Sequence, residues 1–136
     1  MKSVEQQRAA HALARIEELQ RRPDGFKARY RAYVDRLGPA IVMNGLGQAL
    51  ATERAGAGWQ PTKDDERAHH ELYGSLQQWL CREDGGVYRQ SGDLLQAIMN
   101  NDEEHYLRAQ AESLAWLEWH KKCCRASFPA DASGDD

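Results

Sequence analysis

Two stretches of the sequence pair a carboxylate with a histidine three residues on: Glu66-Arg67-Ala68-His69 and Asp102-Glu103-Glu104-His105. On a helix this spacing puts both side chains on one face, the arrangement with which di-metal four-helix bundles hold their ions. Such a centre also needs inward carboxylates from two further helices, and the apolar faces of the first three predicted helices carry none. Both pairs fall in the first turn of a predicted helix, where acidic residues complement the positive end of the helix dipole. His69-His70 are neighbours pointing different ways, and His-Glu-x-x-His does not occur. Cys123-Cys124 lacks the two-residue gap of zinc-binding or redox pairs. Gly45-Leu46-Gly47 follows no predicted strand, and no serine sits in a nucleophile-elbow pattern. The reading is therefore of a protein without catalytic residues, without a metal site and without a cofactor.

Basic residues form the other chemical pattern. Arg8, Arg15 and Arg22 are spaced by seven along the first predicted helix, and Arg29 and Arg36 share the same spacing on the second. Guanidinium forks match phosphate oxygens bidentately, and heptad spacing keeps side chains in line along a nucleic-acid backbone. Such contacts set position without reading sequence. Lys121, Lys122 and Arg125 are weaker candidates, because they also complement the negative end of the last helix. The net charge of −3 hides an asymmetry. Residues 1–36 hold nine Lys/Arg against five Asp/Glu, or +4, while residues 37–136 hold nine against sixteen, or −7. The competing reading is a solvated helix surface with local pairs such as Arg8 with Glu5.

The elements that would position these groups are helical. At 136 residues the chain is long enough for one core. Ala, Leu, Gln, Glu and Arg outnumber β-branched residues, which favours helix. Ser3-Val4-Glu5-Gln6 has the form of a capping box, and Ala9, Ala12, Leu13, Ile16 and Leu19 follow as an apolar stripe. Pro23-Asp24-Gly25 ends that helix. The second helix is expected over Phe26–Leu37, with Phe26, Tyr30, Tyr33, Val34 and Leu37 inward.

The fourteen uncharged residues 37–50 are expected to lie inside as the central helix. Gly38-Pro39 would start it, Val42, Leu46, Ala49 and Leu50 would form its buried face, and it would end near Ala55. Gly45 and Gly47 in one turn predict another backbone packed closely there. Thr62 caps the next helix, which carries Leu72, Leu76, Trp79 and Leu80 and stops before Asp84-Gly85-Gly86. A short helix with Leu94, Leu95 and Ile98 follows Ser91. The longest helix starts at Asn101–Glu104 and is expected to reach about Cys124, with one apolar row through Tyr106, Ala109, Trp116 and Leu117 and another through Leu107, Ala111 and Leu114. The result is an all-α, compact single-domain bundle of about five to six helices over residues 1–125, with a disordered acidic tail at 126–136. Trp59, Trp79, Trp116 and Trp119 read as core or interface anchors. Three cysteines, two of them adjacent, fit reduced thiols in a cytoplasm, and no apolar signal region precedes the first charges.

Leu37-Gly38-Pro39-Ala40-Ile41-Val42-Met43-Asn44-Gly45-Leu46-Gly47 after an Arg/Ala-rich first helix resembles the small subunit of the type III-B CRISPR RNA-guided effector, the RAMP-module or Cmr complex. The Tyr106–Glu112 segment followed by Trp116-Leu117-Glu118-Trp119 agrees, so the likeness covers roughly residues 4–122. Pro39, Asn44, Gly45 and Leu46 carry the central motif. Two departures stand out: Gly38 separates Leu37 from Pro39, and Glu118 occupies a position expected to be basic. The resemblance implies a non-catalytic helical subunit that stacks with copies of itself and with other effector subunits. It would help seat a guide RNA–target RNA duplex in antiviral defence, away from any membrane. Two rivals remain, a pure protein–protein adaptor and a di-metal carboxylate bundle.

Overall fold

The computed structural model describes residues 1–89 and 91–131, and its elements are all helices. They are α1 (Val4–Leu19), α2 (Asp24–Asn44), α3 (Leu46–Ala57), α4 (Asp64–Leu80), α5 (Leu94–Asn100) and α6 (Glu103–Ser127). The expected capping box is present: the Gln6 amide donates to Ser3 Oγ at 3.1 Å, and the Ser3 amide to Gln6 Oε1 at 2.8 Å. Glu66 caps α4 by accepting from the amides of Thr62 and Lys63, both at 3.0 Å. Asp93 and Asp102 cap α5 and α6 by accepting from the Gln96 and His105 amides.

The centre of the bundle is α2, which packs against α3, α4 and α6, while α1 lies along α6. Phe26, Tyr30, Tyr33, Val34 and Leu37 face inward as their spacing predicts. The helix does not stop at Leu37. It runs through Gly38-Pro39 to Asn44, so the expected second and third helices are divided elsewhere. Proline removes one helical hydrogen bond, and Pro39 sits on the exposed side, where that loss is tolerated. Gly38 helps, because the residue before proline clashes with the ring partly through its Cβ, and glycine has none.

The true break is Gly45, at φ 89° and ψ 157°, a backbone region open essentially to glycine alone. Its amide donates to the Ile41 carbonyl at 2.8 Å and its carbonyl accepts from Ala49 at 3.1 Å, so one residue ends α2 and starts α3. The break resets the helical phase. Ile41 and Leu46 are buried, whereas Val42 and Met43 are 71% and 81% exposed, against the expectation that the whole uncharged stretch lies inside. What packs at the two glycines is a side chain rather than a backbone. A Cβ on Gly45 would come within 3.0 Å of the Tyr106 hydroxyl, which accepts from the Gly47 amide, also at 3.0 Å.

The last helix also exceeds its expected end. It reaches Ser127, and Phe128 packs edge-on against Tyr30 with its ring 3% exposed, because an aromatic ring after the helix closes the end of the core. Of the expected disordered tail at 126–136, residues 126–128 instead belong to the end of α6 and the ring that follows it, and residues 132–136 lie outside the described residues. Of the second apolar row on α6, Leu107 is 57% exposed and Leu114 is half-buried. Among the described residues no helix is long and apolar enough to cross a membrane.

Replacing Gly45 by alanine forces a side chain into a glycine-only conformation against Tyr106. We expect a loss of about 1–3 kcal/mol, read as a lower urea midpoint at unchanged slope; an unchanged midpoint would contradict the glycine turn.

Candidate nucleic-acid interface

The heptad arginines of the first helix do not face solvent as a row. Arg8 donates from Nε and Nη2 to the two oxygens of Glu112 on α6, at 2.7 and 2.9 Å, and from Nη1 to Glu5 at 3.0 Å. Arg15 is only 7% exposed; its Nε donates to Ser75 Oγ at 2.6 Å and its Nη2 pairs with Glu71 of α4. Arg22 lies beyond the end of α1, pairs with the other Glu71 oxygen at 2.7 Å and stacks over Phe26 at 4.9 Å. Heptad spacing lines these three up as a row that could follow phosphates, and the structure instead pairs each with a carboxylate of α4 or α6, Arg8 and Arg15 largely out of solvent. The physical reason is position. The edge of an apolar stripe is where a neighbouring helix also arrives, and a guanidinium caught there must find an anion.

Arg29 and Arg36 remain more open. Arg29 lies 3.8 Å from Asp131, and Arg36 rests over the Tyr33 ring at 5.7 Å with no carboxylate in ion-pair range among the described residues. At the end of α6, Lys121 and Lys122 share Glu118 at 3.4 and 3.6 Å, and Arg125 approaches Asp35 of α2 at 3.3 Å. Arg31 of α2 belongs to this same region, donating to the Phe128 carbonyl at 2.9 Å. The eight basic candidates therefore fall into three groups rather than one stripe.

The pairs suggested for a metal centre separate as well. His69 Nδ1 is bonded to Glu53 at 2.8 Å and its ring stacks on Tyr33 at 3.8 Å, while His105 caps with Asp102. Among the described residues no group of three or more His, Cys, Asp or Glu side chains could hold a metal ion. Cys123 and Cys124 are free, and burial pushes both thiols up.

Periodicity gives no hint of a buried polar chain through the core. Ser75 Oγ accepts from Arg15 and donates to the Glu71 carbonyl at 2.8 Å, so its single proton is used. Tyr30, 2.9 Å away, must then donate to Ser75, and His120 Nε2–H donates to Tyr30 at 2.5 Å. His120 is fully buried against Trp116 at 4.2 Å, and its Nδ1 finds no partner among the described residues. A second proton there would be an uncompensated buried charge, and burial lowers the His120 pKa well below 6.5. Burial also lowers that of His11, whose Nδ1 accepts from the Trp116 indole at 2.9 Å. For Glu71 and Glu112 burial alone would raise the pKa, but it is outweighed. The Arg22 and Arg15 guanidinium groups hold Glu71 low, and Arg8 with the Trp79 indole holds Glu112 low.

Truncating Arg15 to alanine leaves Glu71 and Ser75 short of a partner in a nearly closed site. It should cost about 3–5 kcal/mol, whereas Arg36→Ala should stay within about 0.5 kcal/mol; equal unfolding midpoints for the two variants would refute the contrast. The pH dependence has one sign. Histidines whose folded pKa is lowered lose stability as pH falls below their ordinary 6.5, because only the unfolded chain takes up the proton. Carboxylates held low add a second loss below their ordinary 4.5. Urea midpoints should therefore fall from pH 7.5 to 5.5, and His120→Gln should flatten that interval. A flat profile in the parent chain would count against a buried neutral His120.

Over residues 4–127 the chain matches the family model described as CRISPR-associated protein (Cas_Cmr5). A search of the curated proteins finds no match. The match spans α1 through α6, and the chain belongs to the CRISPR-associated Cmr5 family, the small subunit of the type III-B Cmr complex.

Proposed function

We propose that the protein acts as a non-catalytic structural subunit of the effector, contacting the guide RNA–target RNA duplex through phosphates while it assembles with the other Cmr subunits and with copies of itself in the cytoplasm. Family membership supplies the assembly. The observation that carries the RNA contact is the end of α6. There, among the described residues, Lys121, Lys122 and Arg125 stand with Arg31 of α2 against Asp35 and Glu118, an excess of two positive charges at partly open positions. The non-catalytic part draws on the fate of the titratable groups. His120 is taken into the core, His11 is half-buried against Trp116 and Trp79, His69 is paired, and Glu71 and Glu112 hold arginines in place.

One observation favours the adaptor reading as a second possibility. Between α2 and α6 runs a groove of about 380 Å³ lined by Val34, Pro39, Val42, Met43, Leu114 and Leu117. Its exposed apolar side chains suit a protein partner better than a phosphate chain.

In an assembled effector, Lys122→Ala and Arg125→Ala should each weaken target-RNA binding a few-fold and lower the salt slope by about one unit per lost phosphate contact. Both positions are more than half exposed, so folding should be unaffected. Unchanged affinity and slope in both variants, with assembly lost in Met43→Asp, would transfer the assignment to the adaptor.

A further inference from the structure

The most exposed tryptophan is unexplained by any of these roles. Trp59, in the connection between α3 and α4, is 91% exposed, while Trp79 and Trp116 are buried. It lines a recess of about 490 Å³ with Pro61, His70, Tyr73, Gln77 and Arg54. The floor is fixed: Arg54 donates to both Asp93 oxygens at 3.0 Å, and Tyr73 donates to Asp93 at 2.9 Å while accepting from the Leu95 amide. Gln77 uses its oxygen on the Leu94 amide at 2.8 Å, which leaves its NH2 donors without an acceptor among the described residues. The recess thus offers a flat indole, a proline ring and a polar edge of mixed donors and acceptors.

Directly beside it is a second recess of about 400 Å³, lined by Arg22, Arg67, Glu71 and the same Pro61 and His70. Its acid is already engaged. Glu71, one helical turn beyond Arg67, is held by Arg15 and Arg22. Arg67 is exposed and has no carboxylate in ion-pair range among the described residues, so its guanidinium is available to an outside anion. An aromatic plane with a donor–acceptor edge, next to an unmatched guanidinium, is the pairing that a nucleotide presents in reverse.

We propose that this surface binds one unpaired nucleotide of a single strand, with its base stacked on Trp59 and bordered by His70 and Gln77, and its phosphate on Arg67. Duplexed bases have their faces covered and cannot use the indole, so the site is selective for unpaired nucleotides. It lies apart from the duplex-contacting end of α6 and does not depend on that assignment. Sequence readout is not implied, since every base has a face that stacks.

The test follows the indole N–H resonances of the isotopically labelled full chain during titration with adenosine monophosphate, a single-stranded RNA octamer, the matching DNA octamer and a blunt RNA duplex. We expect saturable shifts at Trp59 and at the His70 amide with the nucleotide and both single strands, and none at Trp79 or Trp116. Trp59→Ala, which removes an exposed side chain and should not disturb folding, should weaken octamer binding at least about fivefold. Arg67→Ala should weaken the monophosphate but leave adenosine itself unchanged. The proposal is overturned if Trp59 does not respond to about 10 mM nucleotide at low salt. It is equally overturned if inorganic phosphate reproduces the shifts, or if the duplex does so as well as the single strands. Duplex-induced shifts confined to the end of α6 would sink this site while leaving the duplex face standing; shifts at Trp59 alone would do the reverse.

Discussion

A guanidinium group leaves water only in the company of an anion, and in this protein that constraint decides how the first helix is attached. Ile16 and Leu19 are the only large apolar side chains that α1 buries, with Ala12 beside them. Arg8 on Glu112 and Arg15 on Glu71, with His11 accepting from the Trp116 indole, add polar attachments to α6 and α4. Neither carboxylate serves one partner alone, since Glu112 also accepts from the Trp79 indole at 2.9 Å and Glu71 also holds Arg22. The pairs are specific in direction as well as in charge, because Arg8 uses two nitrogens on two oxygens. A slipped α1 would leave charges buried without partners, an outcome far costlier than a slipped alanine.

Much of the architecture was legible because local chemistry and tertiary packing agree. The Ser3–Gln6 box, the inward row from Phe26 to Leu37 and the face Leu72, Leu76, Trp79 and Leu80 fall where periodicity puts them. The misreadings share a cause. Gly38-Pro39 has the form of a helix boundary, and nothing local reveals that the ring will lie on the solvent side, where α2 can continue past it. Arg8 and Arg15 have the form of an outward row, and their partners are 104 and 56 residues away. Period seven tells which side chains share a face; it does not tell which neighbour that face will meet. The histidines show the same limit, because His120 becomes a core residue, and His11 a half-buried one, only once Trp116 and Tyr30 are placed around them.

The polar core sets what the molecule can do elsewhere. From Arg22 through Glu71, Arg15, Ser75 and Tyr30 to His120, hydrogen-bond partners link the α1–α2 connection and α1, α2, α4 and α6. Each member is oriented by the next, and a substitution at one leaves a neighbour unsatisfied inside the protein. Such a core favours a rigid block over a hinged one. That property suits a part whose surfaces must meet several other components in fixed register.

The charge asymmetry of the sequence takes on a different meaning in this light. The excess of +4 over residues 1–36 looks like an electrostatic footprint, yet Arg8, Arg15 and Arg22 draw their counter-charges from Glu71 and Glu112 in the acidic remainder. The two parts of the chain partly neutralise each other through these pairs, and the exposed cations that remain are scattered, among them Arg21 after α1, Arg36 on α2, Arg67 on α4, Arg108 on α6 and the group at the end of α6. On the proposed function, cations scattered in this way would give few phosphate contacts per copy, each weak in isolation. Under that proposal, affinity for a long strand would come from several copies presented together, where linkage turns separate weak contacts into one strong one. Assembly would then come first, and nucleic-acid contact would follow from it.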